Sequence, residues 1–228
     1  MEANMTRRAF TLPLLLPTGK WSAALAVLAL GACAPDYQPK VEQAPAKAAA
    51  ASGRTETAVF AGGCFWCTEA DFEKVPGVVS AVSGYTGGDV ARPSYEQVSA
   101  GGTGHYEAVQ VRFDPARVSY EQLADYFFRT VDPTDAGGQF CDRGESYRTA
   151  IFVASEAQRR TALAQKEEAA ARLGSPVVTP VLGAGAFWPA EGYHQDYYRT
   201  NAIKYRFYRS RCGRDARLAQ LWGAQAKG

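Results

Sequence analysis

Two cysteines three residues apart, Cys64 and Cys67, are the residues of this chain whose chemistry is easiest to foresee. They lie in the segment Gly-Gly-Cys-Phe-Trp-Cys-Thr-Glu (62–69), after an apolar run (57–61) that predicts a buried strand. The stretch 68–75 that follows predicts a helix, which a Pro-Gly pair ends. Cys64 is therefore expected in a strand-to-helix turn, where free N–H groups and the helix dipole favour a thiolate over a thiol. The sequence predicts a nucleophilic cysteine in this turn.

The tetrapeptide Gly-Cys-Phe-Trp (63–66) strongly resembles the active-site motif of the peptide methionine sulfoxide reductases of type A. Four further segments match that family in the same order along the chain: Gly-Tyr-Thr-Gly-Gly (84–88), Thr-Gly-His-Tyr-Glu-Ala-Val (103–109), Asp-Arg-Gly-Glu-Ser-Tyr-Arg (142–148) and Tyr-His-Gln-Asp-Tyr (193–197). Together they extend over nearly the whole chain beyond its N-terminal segment. Five motifs in the right order make a coincidental match improbable.

Reduction of a sulfoxide needs a nucleophile for the sulfur, an acid for the departing oxygen and an apolar pocket for the S-methyl group. The resemblance implies that Cys64 is the nucleophile and Glu107 the proton donor. Phe65 and Trp66 are implied to form the methyl pocket. Glu107 belongs to an alternating segment (106–113) typical of a half-buried strand, and the sequence leaves open which face it occupies. A carboxyl group in an aromatic-walled pocket would keep its proton near neutral pH, because desolvation disfavours the anion.

The resemblance also assigns polar residues around the sulfoxide oxygen. Tyr85 and Tyr147 are implied to donate hydrogen bonds to that oxygen as negative charge develops on it. Asp142 matches a polar residue that orients the site, although its Asp-x-Gly setting is also typical of a turn. His105 and His194 receive no catalytic role, since isolated histidines are more often structural.

Attack on the sulfoxide would leave Cys64 as a sulfenic acid, which condenses with a nearby thiol. Cys67 shares a helix face with Cys64, at a Cα separation of about 5–6 Å that a disulfide can bridge. Cys212 is the other main candidate, because it lies in an Arg-rich tail that would lower the pKa of its thiol. Cys141 is a third. The resemblance implies a resolving cysteine from either the motif or such a tail, so the choice stays open at this point.

The activity implied by the resemblance is reduction of methionine S-sulfoxide, in proteins, peptides or free form, as repair of oxidative damage. The intramolecular disulfide would be recycled by an external thiol reductant of the thioredoxin type, with no bound cofactor and no metal. The expected partners are thus oxidised proteins and peptides that contain methionine sulfoxide, and a thioredoxin-like reductant.

Two other functions fit part of the pattern. The Cys64-x-x-Cys67 pair after a strand is also typical of a thioredoxin-like thiol-disulfide oxidoreductase. That alternative gives no role to the Phe-Trp pair between the cysteines or to the segment around Glu107. A metal-binding lipoprotein would use Cys64, Cys67, Cys141 and histidine, but their scattered spacing includes only one Cys-x-x-Cys pair.

Residues 1–33 are typical of an export signal. The pair Arg7-Arg8 supplies a positive start, and 21–32 is an apolar run shorter than the ~20 residues that span a bilayer. Leu-Gly-Ala-Cys (30–33) resembles a bacterial lipobox, which predicts lipid on Cys33. The arginine pair fits either an ordinary basic n-region or a twin-arginine export signal. We expect an exported protein on the periplasmic side, anchored to a membrane as a lipoprotein.

Residues 34–56 are rich in Ala, Pro, Lys and Glu, a composition that predicts a flexible tether. Residues 57–228 are expected to form a single catalytic domain with enough aromatic residues for a real core. The net charge of +2 does not indicate a polyanionic partner. We interpret the arginines of the tail as a solvated surface and expect no nucleic-acid binding, and we expect a monomer.

Strands and helices alternate along the predicted domain. The patterns predict strands at 78–84, 106–113, 150–154 and 177–182, a short helical piece at 94–99, and helices at 119–131 and 155–174. This order is typical of an α+β two-layer sandwich, with helices packed on a mixed sheet. The resemblance implies a ferredoxin-like core with a long irregular C-terminal tail, and beyond Tyr193 we expect coil with one or two short helices.

Overall fold

The structure of the protein, a computed structural model, describes residues 53–227. Within these residues the strands are β1 Glu56–Gly62, β2 Val78–Thr86, β3 Tyr106–Phe113, β4 Gly138–Gln139, β5 Asp142–Arg143, β6 Thr149–Val153, β7 Val181–Gly183 and β8 Trp188–Pro189. The α-helices are α1 Phe65–Phe72, α2 Tyr95–Ala100, α3 Tyr120–Phe128, α4 Glu156–Leu173, α5 Tyr197–Thr200, α6 Ala202–Arg211 and α7 Arg214–Trp222. Short 3₁₀ turns occupy Glu145–Tyr147, Gly192–His194 and Gly223–Gln225. The predicted export signal, with Cys33, lies outside the described residues.

Six strands form one mixed sheet in the order β7-β6-β1-β3-β2-β8, and β4 pairs with β5 in a separate hairpin. β1 lies inside the sheet, antiparallel to both β3 and β6, while β7 runs parallel to β6. In the antiparallel β2–β3 pair, Tyr85 lies opposite Glu107. The sheet therefore places two of the predicted site residues on neighbouring strands.

The alternation predicted for β3 is confirmed. Val109, Val111 and Phe113 are fully buried in the main core, whereas Arg112 is exposed. Ala108, on the other parity, is buried in a second and smaller apolar cluster. The remaining buried members of that cluster are Val59, Ala61, Tyr106, Ala150 and Phe152. The middle of the sheet is thus covered on both faces.

Helices α1 and α3 pack against the sheet through aromatic contacts. The ring of Phe60 in β1 stacks on Phe72 of α1 at 4.8 Å and on Phe127 of α3 at 5.1 Å. Ser119 and Ser155 cap α3 and α4 by accepting a backbone N–H with the side-chain oxygen, as the sequence predicts. These contacts confirm the α+β two-layer architecture.

The C-terminal part of the chain is more helical than predicted, since α5, α6 and α7 all lie beyond Tyr193. α7 buries Arg214, Leu218 and Trp222, each about one turn from the next. α6 buries Tyr205 and Arg209. Because arginine and tyrosine occupy buried positions in these helices, the apolar period that normally signals a helix is weak here.

Two boundaries also differ from the prediction. α1 begins at Phe65, three residues before the predicted start, and the last long strand predicted at 177–182 is reduced to the three residues of β7. None of the helices in residues 53–227 combines the length and the apolar character needed to cross a bilayer.

Candidate active site

Cys64 lies in the turn between β1 and α1 and is the N-cap residue of the helix. Its carbonyl oxygen accepts a hydrogen bond from the N–H of Cys67 at 3.1 Å. The preceding Gly63 has a φ of +80°, and a Cβ at this position would lie 2.5 Å from the Cβ of Gln139. Only glycine tolerates both the backbone conformation and this close approach. Gly63 therefore allows the chain to turn directly from the strand into the helix that holds Cys64.

A cavity of about 90 Å³ opens beside Cys64. Its walls are formed by Cys64, Phe65, Trp66, Tyr95, Glu107, Asp142, Tyr147 and Tyr208. The cavity is small and suits the end of one side chain. Aromatic rings form most of the wall. The cavity brings together six residues that the sequence singles out, namely Cys64, Phe65, Trp66, Glu107, Asp142 and Tyr147.

Glu107 is 3% exposed, so its side chain occupies a buried face of β3. Its Oε2 accepts a hydrogen bond from the backbone N–H of Phe65 at 2.9 Å. Burial raises the pKa of Glu107 from its ordinary value of 4.5 to about 8, against the lowering effect of this hydrogen bond. Charge repulsion from the nearby Asp142 and Cys67 also contributes to this raised pKa. The carboxyl group consequently carries a proton at neutral pH, as general-acid chemistry requires.

The two predicted phenols have different surroundings. Tyr147 lines the cavity, and burial raises the pKa of its hydroxyl, so it remains a hydrogen-bond donor. Tyr85 is fully buried outside the cavity wall, with its ring 5.8 Å from that of Phe65. Its hydroxyl donates to Glu191 at 2.9 Å. The structure therefore brings Tyr147 to the cavity and turns the Tyr85 hydroxyl towards a carboxylate from the C-terminal part of the chain.

Two tyrosines that the sequence does not single out, Tyr95 and Tyr208, complete the wall. Tyr95 is held in place because its backbone N–H donates to Glu191 at 2.8 Å. Tyr208, from α6, donates its hydroxyl to Asp142. Burial raises the pKa of Asp142, while the hydrogen bond from Tyr208 lowers it. Asp142 thus fixes a phenol in the cavity wall and also belongs to the β4–β5 hairpin.

A second aromatic layer supports Trp66 from outside the cavity. Its indole N–H donates to Nδ1 of His194 at 3.0 Å, and its ring stacks on Tyr197 at 3.8 Å with the planes 8° apart. Burial lowers the pKa of His194, consistent with a neutral ring that accepts at Nδ1. Gln195 ties this segment to β2, because its side chain accepts from the N–H and donates to the carbonyl oxygen of Ser83. His194 is therefore a structural neighbour of the cavity.

The four cysteines of the described region fall into two pairs. Cys64 and Cys67 are free and buried, whereas Cys141 and Cys212 form a disulfide. The sulfur of Cys141 lies 3.7 Å from an oxygen of Asp142, so the disulfide is next to the cavity wall. The tail cysteine is paired with Cys141 and not with Cys64, and Cys67 is the free thiol that accompanies Cys64 on α1.

The two free thiols have opposite pKa shifts. The pKa of Cys67 falls to about 7, because Cys64 donates a hydrogen bond to it and because Arg214 and Arg209 are close, although burial acts in the other direction. Burial and the hydrogen bond with Cys67 raise the pKa of Cys64 well above its ordinary value. The expectation that the helix N-terminus favours a Cys64 thiolate is therefore wrong for this state of the protein. Of the two thiols, Cys67 is therefore the one whose thiolate is favoured, and Cys64 is the one whose thiol is favoured.

One group of potential metal ligands occurs within residues 53–227, formed by Cys141, Asp142 and Cys212, whose ligand atoms lie within 4.8 Å of one another. Both sulfurs belong to the disulfide, and metal coordination requires thiolates. The group cannot hold a metal ion in this redox state.

Comparison with known proteins gives consistent matches. The profile of the family described as peptide methionine sulfoxide reductase matches residues 56–226. The peptide methionine sulfoxide reductase MsrA 2 of Rhizobium meliloti is 54% identical over 182 residues, which cover 80% of this chain and 89% of the relative. The MsrA 2 of Caulobacter vibrioides is 52% identical over 204 residues, covering 89% and 96%. Among solved structures, reduced Mxr1 from Saccharomyces cerevisiae superimposes with a TM-score of 0.64 at 30% identity, covering 68% of this chain and 91% of that one.

The raised pKa of Glu107 leads to two predictions, one for the NMR titration of its carboxyl group and one for how the free energy of unfolding changes with pH. A carbon-13 NMR titration should show a glutamate carboxyl with a pKa of about 8 that disappears in Glu107→Gln. Glu69, which burial raises to a similar pKa, should give a second signal that only Glu69→Gln removes. Between about pH 4.5 and 8 the folded state holds a proton at Glu107 that the unfolded state has lost. The free energy of unfolding should therefore fall with rising pH in this window, and less steeply in Glu107→Gln. A Glu107 signal that titrates near pH 4.5 would contradict the protonated state.

Proposed function

The chain belongs to the peptide methionine sulfoxide reductase family, and we propose that it reduces methionine S-sulfoxide in proteins and peptides to methionine, with Cys64 as the nucleophile. The observation that carries this proposal is the protonated carboxyl of Glu107, which shares a small aromatic cavity with the Cys64 sulfur. A nucleophilic sulfur, an acid and an apolar wall are the three groups that sulfoxide reduction requires.

In the first step the sulfur of Cys64 attacks the sulfoxide sulfur while Glu107 protonates the oxygen. The oxygen ends on Cys64 as a sulfenic acid, the substrate sulfur is reduced to the thioether, and methionine leaves. The proton of the Cys64 thiol replaces the one that Glu107 gives up, so the step is balanced. Phe65 and Trp66 form the apolar wall that suits the S-methyl group.

Charge on the sulfoxide oxygen would be stabilised by phenol groups. Tyr147 and Tyr95 both line the cavity. We assign oxygen binding to this pair, in which the phenols stay protonated because burial raises their pKa. Tyr85 remains a prediction from the family resemblance, since its hydroxyl is engaged by Glu191 in this state. We also assign Asp142 the role of orienting Tyr208 at the cavity mouth.

We propose that Cys67 resolves the sulfenic acid. It is the free cysteine that hydrogen-bonds Cys64, and its lowered pKa favours the thiolate that the attack requires. Cys67 attacks the sulfur of the Cys64 sulfenic acid, the S–O bond breaks, and the oxygen departs as water. Cys212 stays a candidate only in the state in which its bond to Cys141 is reduced. A protein dithiol of the thioredoxin type then returns the enzyme to the reduced state, without a bound cofactor.

For residues 1–55, before β1, we propose an export signal that ends in a lipobox at Cys33, followed by a flexible tether. The support is sequence pattern: a basic start, a short apolar run and the residues Leu-Gly-Ala-Cys. The reductase domain, a monomer, would then act on the periplasmic side of a membrane.

Removal of the acid should slow the chemical step without unfolding the protein. Glu107→Gln keeps an acceptor for the Phe65 N–H but has no proton to give, so methionine formation in a single turnover should slow by about 10²–10⁴-fold. Cys64→Ser should form no methionine. Glu69→Gln is the matched control. Glu69, on α1, is like Glu107 a buried acid with a raised pKa, but it does not line the cavity. The Glu69→Gln variant should therefore react at nearly the wild-type rate. An unchanged rate in Glu107→Gln would show that the proton comes from another group.

The resolving thiol should affect repeated turnover and leave the first turnover intact. In a burst experiment with a thioredoxin-type donor, Cys67→Ser should form one methionine per enzyme and then stop or slow sharply. Cys212→Ser should continue to cycle, because Cys67 is still present to resolve the sulfenic acid. If Cys67→Ser cycles normally while Cys212→Ser stalls, the tail cysteine is the resolving residue and our assignment is wrong.

The full-length chain should carry lipid on Cys33 when expressed in a bacterial host. Mass spectrometry of the mature N-terminus should find cleavage before Cys33 and a lipid-modified cysteine, with the protein in the membrane fraction. Cys33→Ser should abolish the lipid modification and the association with the membrane fraction. An uncleaved leader, or an unmodified Cys33 at the mature N-terminus, would rule out the lipoprotein.

A further inference from the structure

Two buried arginines from the C-terminal helices reach α1 at Asp71, which lies one turn after Cys67 on the same helix. Arg209 of α6 is 8% exposed and Arg214 of α7 is 2% exposed. Guanidinium groups are almost never buried to this degree unless a partner compensates the charge, because their desolvation is costly. The question is which anion compensates these two charges.

Arg209 has conventional partners. One of its nitrogens donates to Oδ1 of Asp71 at 2.9 Å and to the hydroxyl of Tyr205 at 3.1 Å, and another lies 2.7 Å from Asp215. The side chain of Asp215 is 64% exposed, so water screens its charge, whereas that of Asp71 is fully buried. Asp71 is therefore the one strong anionic partner that Arg209 has inside the protein.

Arg214 is bonded mainly to neutral groups. It donates to the carbonyl oxygens of Thr130 at 2.7 Å and Gly62 at 3.4 Å, and it lies 4.6 Å from the centre of the Phe140 ring. Its Nε lies 3.8 Å from Oδ2 of Asp71, and neither atom has a hydrogen-bond partner. Asp71 is thus shared between two buried guanidinium groups and the exposed amino group of Lys74, which lies 3.4 Å from its Oδ1. The buried cluster of Asp71, Arg209 and Arg214 has an excess of one positive charge.

Cys67 is the ionisable group placed to supply the missing negative charge. It is 2% exposed and packs against Ala70 of its own helix and Tyr205 of α6. The charged or titratable groups around it are Cys64 and Asp71 from α1, Glu107 from β3, Tyr205, Tyr208 and Arg209 from α6, and Arg214 from α7. The two arginines are the cations in this set.

We propose that Arg214, together with Arg209, is a positioning residue that holds Cys67 as a buried thiolate ready to resolve the Cys64 sulfenic acid. The inference rests on the resolving role proposed for Cys67 above. A buried thiol without such charges would have a raised pKa and little nucleophile at neutral pH. In the step itself the Cys67 thiolate attacks the sulfur of the Cys64 sulfenic acid and the S–O bond breaks. The hydroxide leaves with the bonding electron pair and takes a proton from Glu107 to become water. The Cys67 sulfur is oxidised by one electron and the Cys64 sulfenic sulfur is reduced by one, so that both become disulfide sulfurs and the oxygen keeps its oxidation state.

The direct test is the pKa of Cys67. The ultraviolet absorbance of thiolate is titrated in the full-length Cys64→Ser variant, and the titration of Cys64→Ser/Cys67→Ser is subtracted, so that the other cysteines and the tyrosines cancel. The expected midpoint lies below the ordinary value of a cysteine thiol, because both arginines remain and the serine hydroxyl can donate a hydrogen bond in place of the Cys64 thiol. Adding Arg214→Gln should raise it by at least one unit, which means about tenfold less thiolate at neutral pH. Arg214→Lys should keep most of the effect, because it keeps the charge.

Two further variants separate a charge effect from a structural one. Arg217→Gln, on the same helix, removes an arginine that pairs with Asp132, and it should leave the midpoint unchanged. Asp71→Asn removes the anion that opposes the thiolate, so it should shift the midpoint downwards. A midpoint in the ordinary range near 8.5 in the parent variant overturns the proposal, even if Arg214→Gln does not fold. So does an unchanged midpoint in a folded Arg214→Gln protein, checked by near-ultraviolet circular dichroism.

A single-turnover experiment links the pKa to the reaction. With Cys64 present, Arg214→Gln should slow disulfide formation about tenfold relative to methionine release at neutral pH, and raising the pH should restore the rate. A slowing that no pH restores would mean a purely structural role and would overturn the inference. If instead Cys64 still forms a disulfide at the normal rate in Cys67→Ser, the resolving role proposed for Cys67 fails. The titration still decides whether the arginines stabilise the Cys67 thiolate.

Discussion

The hydrogen bond from the Phe65 N–H to the carboxyl of Glu107 is the contact on which the site depends. The start of an α-helix leaves several N–H groups without partners, and no side chain of the N-cap residue satisfies them here. Glu107 supplies the acceptor from β3 and thereby ties the first turn of α1 to the sheet. The same burial that makes this bond valuable raises the pKa of the carboxyl to about 8. One side chain therefore fixes the position of Cys64 and keeps the proton that the reaction needs.

Charge is distributed unevenly around the two free thiols. Two acidic side chains, Glu107 and Asp142, share the cavity wall with Cys64, and two arginines from the C-terminal helices lie near Cys67. Burial and the neighbouring Cys67 disfavour a negative charge on Cys64, whereas the arginines favour one on Cys67, and this outweighs the simple expectation of a thiolate at the helix start. The C-terminal helices thus contribute Tyr208 to the cavity wall and place Arg209 and Arg214 in the interior beside α1.

The sequence predicts the architecture well because β-alternation and serine caps are local signals, and both are found in β3, α3 and α4. The face of Glu107 was also present in the pattern, since it shares the parity of Val109, Val111 and Phe113, which are all buried. Other features depend on contacts between distant segments and have no local signal. The Cys141–Cys212 disulfide and the turning of the Tyr85 hydroxyl to Glu191 are examples. The helical tail was underestimated because its buried face contains arginine and tyrosine.

The small size of the cavity imposes an order on the chemistry. Cys64 and Cys67 are 5% and 2% exposed, so a folded protein donor cannot reach either thiol, whereas the end of a methionine sulfoxide side chain can reach Cys64 through the cavity. Cys141, by contrast, is exposed, and its disulfide lies next to Asp142 in the cavity wall. Reducing equivalents from a protein must therefore either enter through that disulfide or wait until the wall of Asp142 and Tyr208 opens. In both cases the hairpin that contains Asp142 and the helix that contains Tyr208 separate the substrate reaction from the recycling reaction. The hydrogen bond from Tyr208 to Asp142 joins these two elements.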